Sequence, residues 1–270
     1  MTDSKRPTIG LALGSGGAKG LAHIGVIKKL EENNIPIDMI AGSSIGALIG
    51  GVYAKNRDIR RLEKKAMDAD WRFILSLIDP SMREGFLGGE KVKKFIESYI
   101  GKVSFDNLKI PLSVIATDIE NGEMVSLDSG EVSSAIRASV SIPLVFRPIT
   151  LNGRVLADGG MSMPVPVPVV KEMGADIIIA VNLDGDCFAC KGSGKSRFNL
   201  AKIARYSVDI MRYHLASLNI KGADIVISPK TGNIELLEFL EGKKAIKAGE
   251  EATALILPRL KELLGIKSYF

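Results

Sequence analysis

Cysteine and histidine are scarce in this chain of 270 residues, which has two of each. Two cysteines are too few for a disulfide framework, so the sequence is typical of a protein from a reducing compartment. Cys187 and Cys190 form a lone C-x-x-C pair, whereas a structural zinc ion needs four ligands. Since no second cysteine pair or nearby histidine completes the set, this pair predicts neither a metal site nor a redox site.

Long hydrophobic runs are absent as well. No stretch of 18 apolar residues occurs, and the N-terminal residues MTDSKRPTIG carry no charged-then-apolar signal segment. We therefore expect a soluble, cytoplasmic protein. The net charge of +5 comes without any aromatic-interleaved basic stretch. This pattern predicts no nucleic-acid partner and, at most, a peripheral contact with the anionic inner face of a membrane.

Apolar runs alternate with helical patterns along the chain. This rhythm predicts an α/β protein, a three-layer α/β/α sandwich with a mostly parallel central sheet. Without a low-complexity linker, residues 1–270 are expected to form one domain, with a helical insertion at about 58–100. The predicted strands are Ile9–Leu13, Ile37–Ala41, Leu112–Thr117, Met124–Leu127, Val155–Ala157, Asp176–Asn182 and Asp224–Ser228. The predicted helices are Lys19–Asn33, Ile45–Lys55, Val132–Ser139, Leu200–Ile220 and a C-terminal region to Leu264.

A serine between two glycines lies where a predicted strand turns into a predicted helix. The segment Gly42-Ser43-Ser44-Ile45-Gly46 has the pattern G-x-S-x-G. At such an elbow the glycines avoid collisions as the chain reverses, and the middle serine exposes its hydroxyl as a nucleophile. The alternative is a small-residue turn in which Ser43 or Ser44 caps the helix. The motif taken by itself leaves both interpretations open.

The first predicted strand runs into a second glycine-rich turn, GSGGAKG at residues 14–20. Free backbone N–H groups and the positive end of the helix dipole make such a turn an anion cradle. In acyl transfer it would be an oxyanion hole, and in another protein it would bind a nucleotide phosphate. Lys19 stands where G-x-G-x-x-G needs its third glycine, and the Walker A spacing is also absent here. A plain strand-to-helix turn remains the other interpretation.

A serine nucleophile needs a base, and neither histidine is well placed in the sequence. His23 and His214 both lie within helical patterns, so each is interpreted as a packing or surface residue. Asp158 follows an apolar strand in RVLADGG and precedes two glycines, Gly159 and Gly160, which permit close approach. Asp158 is therefore the candidate base, although an aspartate before two glycines is also common in ordinary turns.

Four segments in order carry a family resemblance: GLALGSGGAKGLAHIGV, IAGSSIGALIGGVYA, RASVSIPLVFRPI and VLADGGMSMPVPV. Over about Ile9 to Val167 the chain resembles the bacterial patatin-like phospholipases, including the catalytic region of neuropathy target esterase. The resemblance implies a patatin-like fold and a Ser-Asp dyad, with Ser44 as nucleophile and Asp158 as base. It also implies that the backbone amides of Gly16, Gly17 and Ala18 are the oxyanion donors. The residues that support the motifs are then Gly14, Lys19, Gly20, Gly42, Gly46, Gly159 and Gly160.

Two positions depart from the family pattern. Ser15 replaces a glycine of the glycine run, and Met163 replaces the asparagine that follows the aspartate motif. The resemblance implies hydrolysis of fatty-acyl esters of phospholipids or lysophospholipids, through an acyl-enzyme and without a metal or organic cofactor. Residues 71–78, WRFILSLI, are interpreted as a core helix, with a lid beside the glycines at 85–89 as the alternative.

A rival function comes from residues 189–196, ACKGSGKS, which match the Walker A spacing if alanine replaces the first glycine. This loop would make the protein a P-loop nucleotide hydrolase. However, Asp184 to Phe188 separate it from the preceding strand, whereas a P-loop follows its strand directly. We therefore favour a basic surface loop here and a serine acyl hydrolase overall.

Overall fold

A computed structural model describes residues 6–68, 86–143, 145–186 and 200–265. Eight strands in these ranges form one sheet. They are β1 (Ile9–Leu13), β2 (Met39–Ser43), β3 (Leu112–Asp118), β4 (Met124–Leu127), β5 (Ile149–Leu151), β6 (Arg154–Asp158), β7 (Ile177–Val181) and β8 (Ile225–Ile227).

Helices connect most of the strands. They are α1 (Ala22–Glu32), α2 (Ile45–Asn56), α3 (Ile59–Asp68), α4 (Phe86–Ile100), α5 (Val132–Ser139), α6 (Val167–Glu172), α7 (Leu200–Asn219) and α8 (Gly242–Leu263). None of these helices is both long enough and apolar enough to cross a bilayer, a statement that covers the described ranges alone.

The predicted elements are found with two shifts. The strand expected at Ile37–Ala41 is Met39–Ser43, because Asp38 ends the preceding connection by accepting a hydrogen bond from the Ile9 amide. The helix expected from Lys19 begins as a 3-10 turn, Gly17–Leu21, ahead of α1. Residues 71–78 and 189–196 lie outside the described residues. The division into one domain with a helical insertion stays a prediction.

The sheet has the order β5-β6-β3-β2-β1-β7-β8, with β4 paired to β3. The neighbours from β3 to β8 are parallel, and β4, β5 and β6 add antiparallel pairs at one end. The expectation of a mostly parallel central sheet is therefore confirmed.

Alternating side chains of the strands enter two cores. In β1, Leu11 and Leu13 belong to the larger core with α1 and α2, whereas Ala12 belongs to the smaller core beside Val170 of α6. This period-2 alternation places helices on both faces of the sheet, which is the three-layer arrangement.

Two strands meet end to end along one edge of β3. Strand β4 pairs with both Ile115 and Ala116 on one edge of β3. Strand β2 also pairs with Ile115, and β6 also pairs with Ala116, so β2 and β6 both lie along the opposite edge of β3. Because β2 runs parallel to β3 and β6 runs antiparallel to it, their carboxyl ends face each other. Ser43 and Asp158, the last residues of β2 and β6, are therefore brought together.

Candidate active site

Ser44 occupies a sharp turn between β2 and α2. Its backbone angles, φ 54° and ψ −121°, lie outside the regions that residues other than glycine usually adopt. A Cβ on Gly42 would lie 2.6 Å from the backbone nitrogen of Ala47, and one on Gly46 would lie 2.2 Å from the Leu13 carbonyl oxygen. Ser44 holds the N-cap position of α2, but its side chain makes no cap hydrogen bond. The hydroxyl is thus left for another partner.

That partner is Asp158. The hydroxyl of Ser44 donates to Asp158 Oδ2 at 2.5 Å, and the Gly160 amide donates to Asp158 Oδ1 at 2.7 Å. Ser44 and Asp158 lie 114 positions apart in the sequence. Both are buried, since Ser44 is 4% exposed and Asp158 is 7% exposed. Thr117 holds the same loop, since its hydroxyl donates to the Asp158 carbonyl oxygen at 2.8 Å.

Burial raises the pKa of the Asp158 carboxyl to about 6. Desolvation disfavours the charged form, while the hydrogen bonds from Ser44 and Gly160 and the positive charge of Arg212 act in the opposite direction. A carboxyl group with this pKa accepts protons more readily than an exposed aspartate and is still mostly ionised at neutral pH.

The glycine-rich turn follows β1 and lies beside the elbow, where Gly20 packs so closely on Ile45 that a Cβ would be 2.1 Å from its side chain. Gly14 donates its amide to the Val181 carbonyl oxygen at 3.1 Å. Lys19 is half-buried within the 3-10 turn. The turn is therefore fixed on both sides, by β7 and by α2.

The three expected oxyanion donors are not equivalent. The Ala18 amide already donates to the Leu236 carbonyl oxygen at 2.8 Å, which differs from the expectation that it points at a ligand. The amides of Gly16 and Gly17 donate to no residue within the described ranges. Gly17 adopts φ 57°, a left-handed conformation that suits glycine. Two donors, not three, remain for an anion at this turn.

Gly159 and Gly160 complete the site on the side of Asp158. A Cβ on Gly159 would lie 2.2 Å from the Ile115 carbonyl oxygen, so this backbone presses directly on β3. Met163, at the position of the family asparagine, is partly buried and packs against the smaller core. The hydroxyls of Thr117 and Ser162, 2.8 Å apart, make a polar contact in the same loop.

Neither histidine contacts the dyad. His23 is fully buried, and its Nε2 lies 2.7 Å from the Gly14 carbonyl oxygen, to which only a protonated nitrogen can donate. Burial lowers the pKa of His23 to about 4, so the ring is neutral and supports the glycine turn. His214 is exposed on α7.

Besides Thr117 and Ser162, three further polar residues of this region were not predicted from the sequence. Ser139, at the end of α5, accepts a hydrogen bond from the Ser44 amide at 2.8 Å. Arg212 of α7 binds the buried Asp184 in a forked ion pair, with Nη2 donating to Asp184 Oδ1 at 2.6 Å. Ser139 lies within the quoted segment RASVSIP, which was the available signal, whereas the pairing of Asp184 with Arg212 left no local pattern.

No group of three or more metal-ligating side chains of the His, Cys, Asp or Glu type occurs within the part of the chain that the structure describes. The polar groups of this region include the Ser44 hydroxyl, the Asp158 carboxylate and two backbone amides, those of Gly16 and Gly17, that donate to no described residue. This set suits the attack of an alcohol on a carbonyl carbon with stabilisation of the resulting oxyanion.

The fold and this site define a protein of the patatin class, and comparison with known proteins agrees. The family described as patatin-like phospholipase matches residues 11–171. The chain belongs to the patatin-like phospholipase family.

Relatives match about two thirds of the chain. An uncharacterized NTE family protein of Mycobacterium tuberculosis is 44% identical over 183 residues, which are 67% of this chain and 51% of the relative. The lysophospholipase nte1 of Emericella nidulans is 36% identical over 181 residues, 65% of this chain and 12% of the fungal protein. The chain therefore spans about half the length of the mycobacterial relative and much less of the fungal one.

Solved structures show the same fold. VipD from Legionella pneumophila aligns with a TM-score of 0.55 at 14% identity, covering 94% of this chain and 67% of VipD. The type III effector protein ExoU aligns with a TM-score of 0.50 at 12% identity, covering 96% of this chain and 54% of ExoU.

Replacing Ser139 by alanine tests how the elbow is held. Ser139→Ala leaves the buried Ser44 amide without its acceptor, and an unsatisfied buried donor costs about 1–3 kcal/mol. We expect the free energy of unfolding, measured by urea denaturation, to fall by that amount. Ser139→Thr, which keeps the hydroxyl, is the control and should lose less. Equal stability of Ser139→Ala and the wild type would contradict this account of the elbow.

Proposed function

We propose that the protein is a serine acyl hydrolase that cleaves fatty-acyl esters of phospholipids or lysophospholipids. The observation that carries this proposal is the hydrogen bond from Ser44 to Asp158 at a strained elbow. The amides of Gly16 and Gly17, in the neighbouring glycine turn, donate to no residue of the described part of the chain. The naming of fungal relatives as lysophospholipases supports the choice of substrate class.

In the proposed acylation step, Ser44 Oγ attacks the carbonyl carbon of the ester while its proton moves to Asp158 Oδ2. The carbonyl electron pair moves to the oxygen, and the amides of Gly16 and Gly17 stabilise that negative charge. Collapse of the intermediate breaks the bond to the alcohol, which takes the proton from Asp158. The acyl group remains on Ser44.

Deacylation follows the same path with water as the nucleophile. The water oxygen attacks the acyl carbon and passes a proton to Asp158. When the second intermediate collapses, the fatty acid leaves and Ser44 recovers its proton from Asp158. The dyad returns to its starting state, and no electron acceptor or donor is consumed.

A carboxylate is a weak base for an alcohol, which explains two features of the site. Burial raises the pKa of Asp158 to about 6, and this reduces the mismatch between the carboxyl and the serine hydroxyl. Each oxyanion donor contributes about 3–4 kcal/mol to the transition state, so the glycine turn supplies a large share of the catalysis. Proton transfer then accompanies the attack instead of preceding it.

We also propose a peripheral contact with a lipid surface. The chain carries a net charge of +5, which favours anionic lipid. Helix α7 supports this proposal, since it is tied to the carboxyl ends of the strands by Arg212 and leaves Val208, Met211 and Leu218 57%, 63% and 57% exposed.

Removal of either dyad side chain tests the mechanism. Ser44→Ala and Asp158→Asn should each lower the hydrolysis of p-nitrophenyl acyl esters at least about 10³-fold, because nucleophile or base is lost. Lys195→Ala, in the Walker-like loop, should hydrolyse the esters like the wild type. Substantial activity in Ser44→Ala would rule out the mechanism, and loss of ester hydrolysis in Lys195→Ala would contradict the assignment of this activity to the dyad and the glycine turn alone.

The pH dependence tests the base. Asp158 accepts a proton only when ionised, so kcat/KM should rise with pH through about 6 and then level off.

The free energy of unfolding should change with pH in the opposite direction. A carboxyl whose pKa is raised in the folded state destabilises the fold as pH rises from about 4 to about 6. Asp158→Asn should therefore unfold at a urea concentration no lower than the wild type at pH 8. A lower urea midpoint for Asp158→Asn would contradict the proposal that the ionised Asp158 carboxylate is buried at an energetic cost.

A further inference from the structure

Ser15 is a buried serine that the mechanism above does not use. It stands in the glycine turn where the family has glycine, and it is 3% exposed. Its hydroxyl has no hydrogen-bond partner among the residues that the structure describes. A buried hydroxyl without a partner is unfavourable, so such groups are expected to bind another polar group or an ordered water.

The Ser15 hydroxyl lies close to the proposed base, Asp158, and to the loop that follows it. The Ser15 amide donates to the Pro164 carbonyl oxygen at 2.8 Å, which joins the glycine turn to the loop after Asp158. The position that a Cβ of Gly160 would take lies 2.6 Å from Ser15 Oγ and 2.9 Å from Asp158 Oδ1. Ser15 Oγ and Asp158 Oδ1 therefore both lie beside the Gly160 Cα, close enough together for one water molecule to bridge them.

Asp158 Oδ1 has capacity for another donor. It accepts the Gly160 amide at 2.7 Å, and a carboxylate oxygen offers two lone pairs. A water molecule between Ser15 Oγ and Asp158 Oδ1 would donate a hydrogen bond to the carboxylate and accept one from the buried hydroxyl, which would then have a partner.

We propose that Ser15 is a positioning residue, whose hydroxyl acts through one bridging water on Asp158 Oδ1 and holds the carboxylate with Oδ2 toward Ser44. This inference rests on the proposed function for its catalytic consequence, but the contact itself is independent of activity. Replacement of the family glycine by serine thus adds a support for the base from the turn that carries the oxyanion donors.

Among the described residues, three groups besides Ser15 act on the Asp158 carboxyl. Arg212 of α7 acts through its charge and is balanced by Asp184, and the Ser44 hydroxyl and the Gly160 amide donate directly. His23, behind the glycine turn on α1, is neutral above pH about 4. The Ser15 hydroxyl adds a donor without adding a charge. Since donors favour the ionised carboxyl, loss of this hydroxyl should raise the pKa of Asp158.

The test is a carbon-13 NMR titration of the Asp158 carboxyl, assigned with Asp158→Asn. We expect Ser15→Ala to raise the pKa of Asp158 by about one pH unit. Ser15→Thr keeps the hydroxyl and should leave the pKa of Asp158 at its wild-type value. Ser15→Gly, the family residue, should behave as Ser15→Ala and covers the case in which alanine prevents folding. Ser133→Ala removes another fully buried serine hydroxyl, on α5, and should cause no shift.

Kinetics supply the second readout. Ser15→Ala should lower kcat about tenfold with little change in KM, and the ascending limb of kcat/KM should move with the titrated pKa. If neither Ser15→Ala nor Ser15→Gly shifts the pKa of Asp158 relative to Ser133→Ala, the inference is wrong even if the esterase mechanism holds. If the pKa shifts but the wild type hydrolyses no ester, the contact stands and the proposed function fails.

Discussion

The arrangement of the site depends on the pairing of β2 and β6 with the same edge of β3. Because the two strands run in opposite directions, their carboxyl ends meet. Ser44 Oγ is thereby placed 2.5 Å from Asp158 Oδ2. A shift of either strand by one residue would turn the alternate side chains to the other face. The hydrogen bond therefore reports the register of the central sheet.

The same geometry buries a carboxylate, and the surrounding groups limit the unfavourable energy of that burial. Gly160 and Ser44 donate to it, and Arg212 contributes a positive charge that Asp184 keeps in place. Their balance leaves the pKa of Asp158 raised to about 6. An aspartate held this way can accept a proton near neutral pH, whereas complete compensation of its charge would make it a weaker base.

Local segments of the fold and site could be predicted from the sequence, and contacts between distant segments could not. Strand β1 and helix α5 have their predicted bounds, and Ser44 lies at the strand-to-helix elbow that the sequence predicts, because these features depend on short-range patterns. The order of strands that joins Ser44 to Asp158 depends on tertiary packing. So does the partner of Ala18, since Leu236 comes from the far end of the chain and removes one expected oxyanion donor.

The proposed role of Ser44 as the nucleophile is tested most directly by covalent labelling. The protein would be treated with a fluorophosphonate, followed by intact mass measurement and peptide mapping of the wild type and Ser44→Ala. We expect one adduct on the wild type, located on Ser44, and none on the variant. An adduct that persists in Ser44→Ala, or that maps to another residue of the wild type, would contradict it.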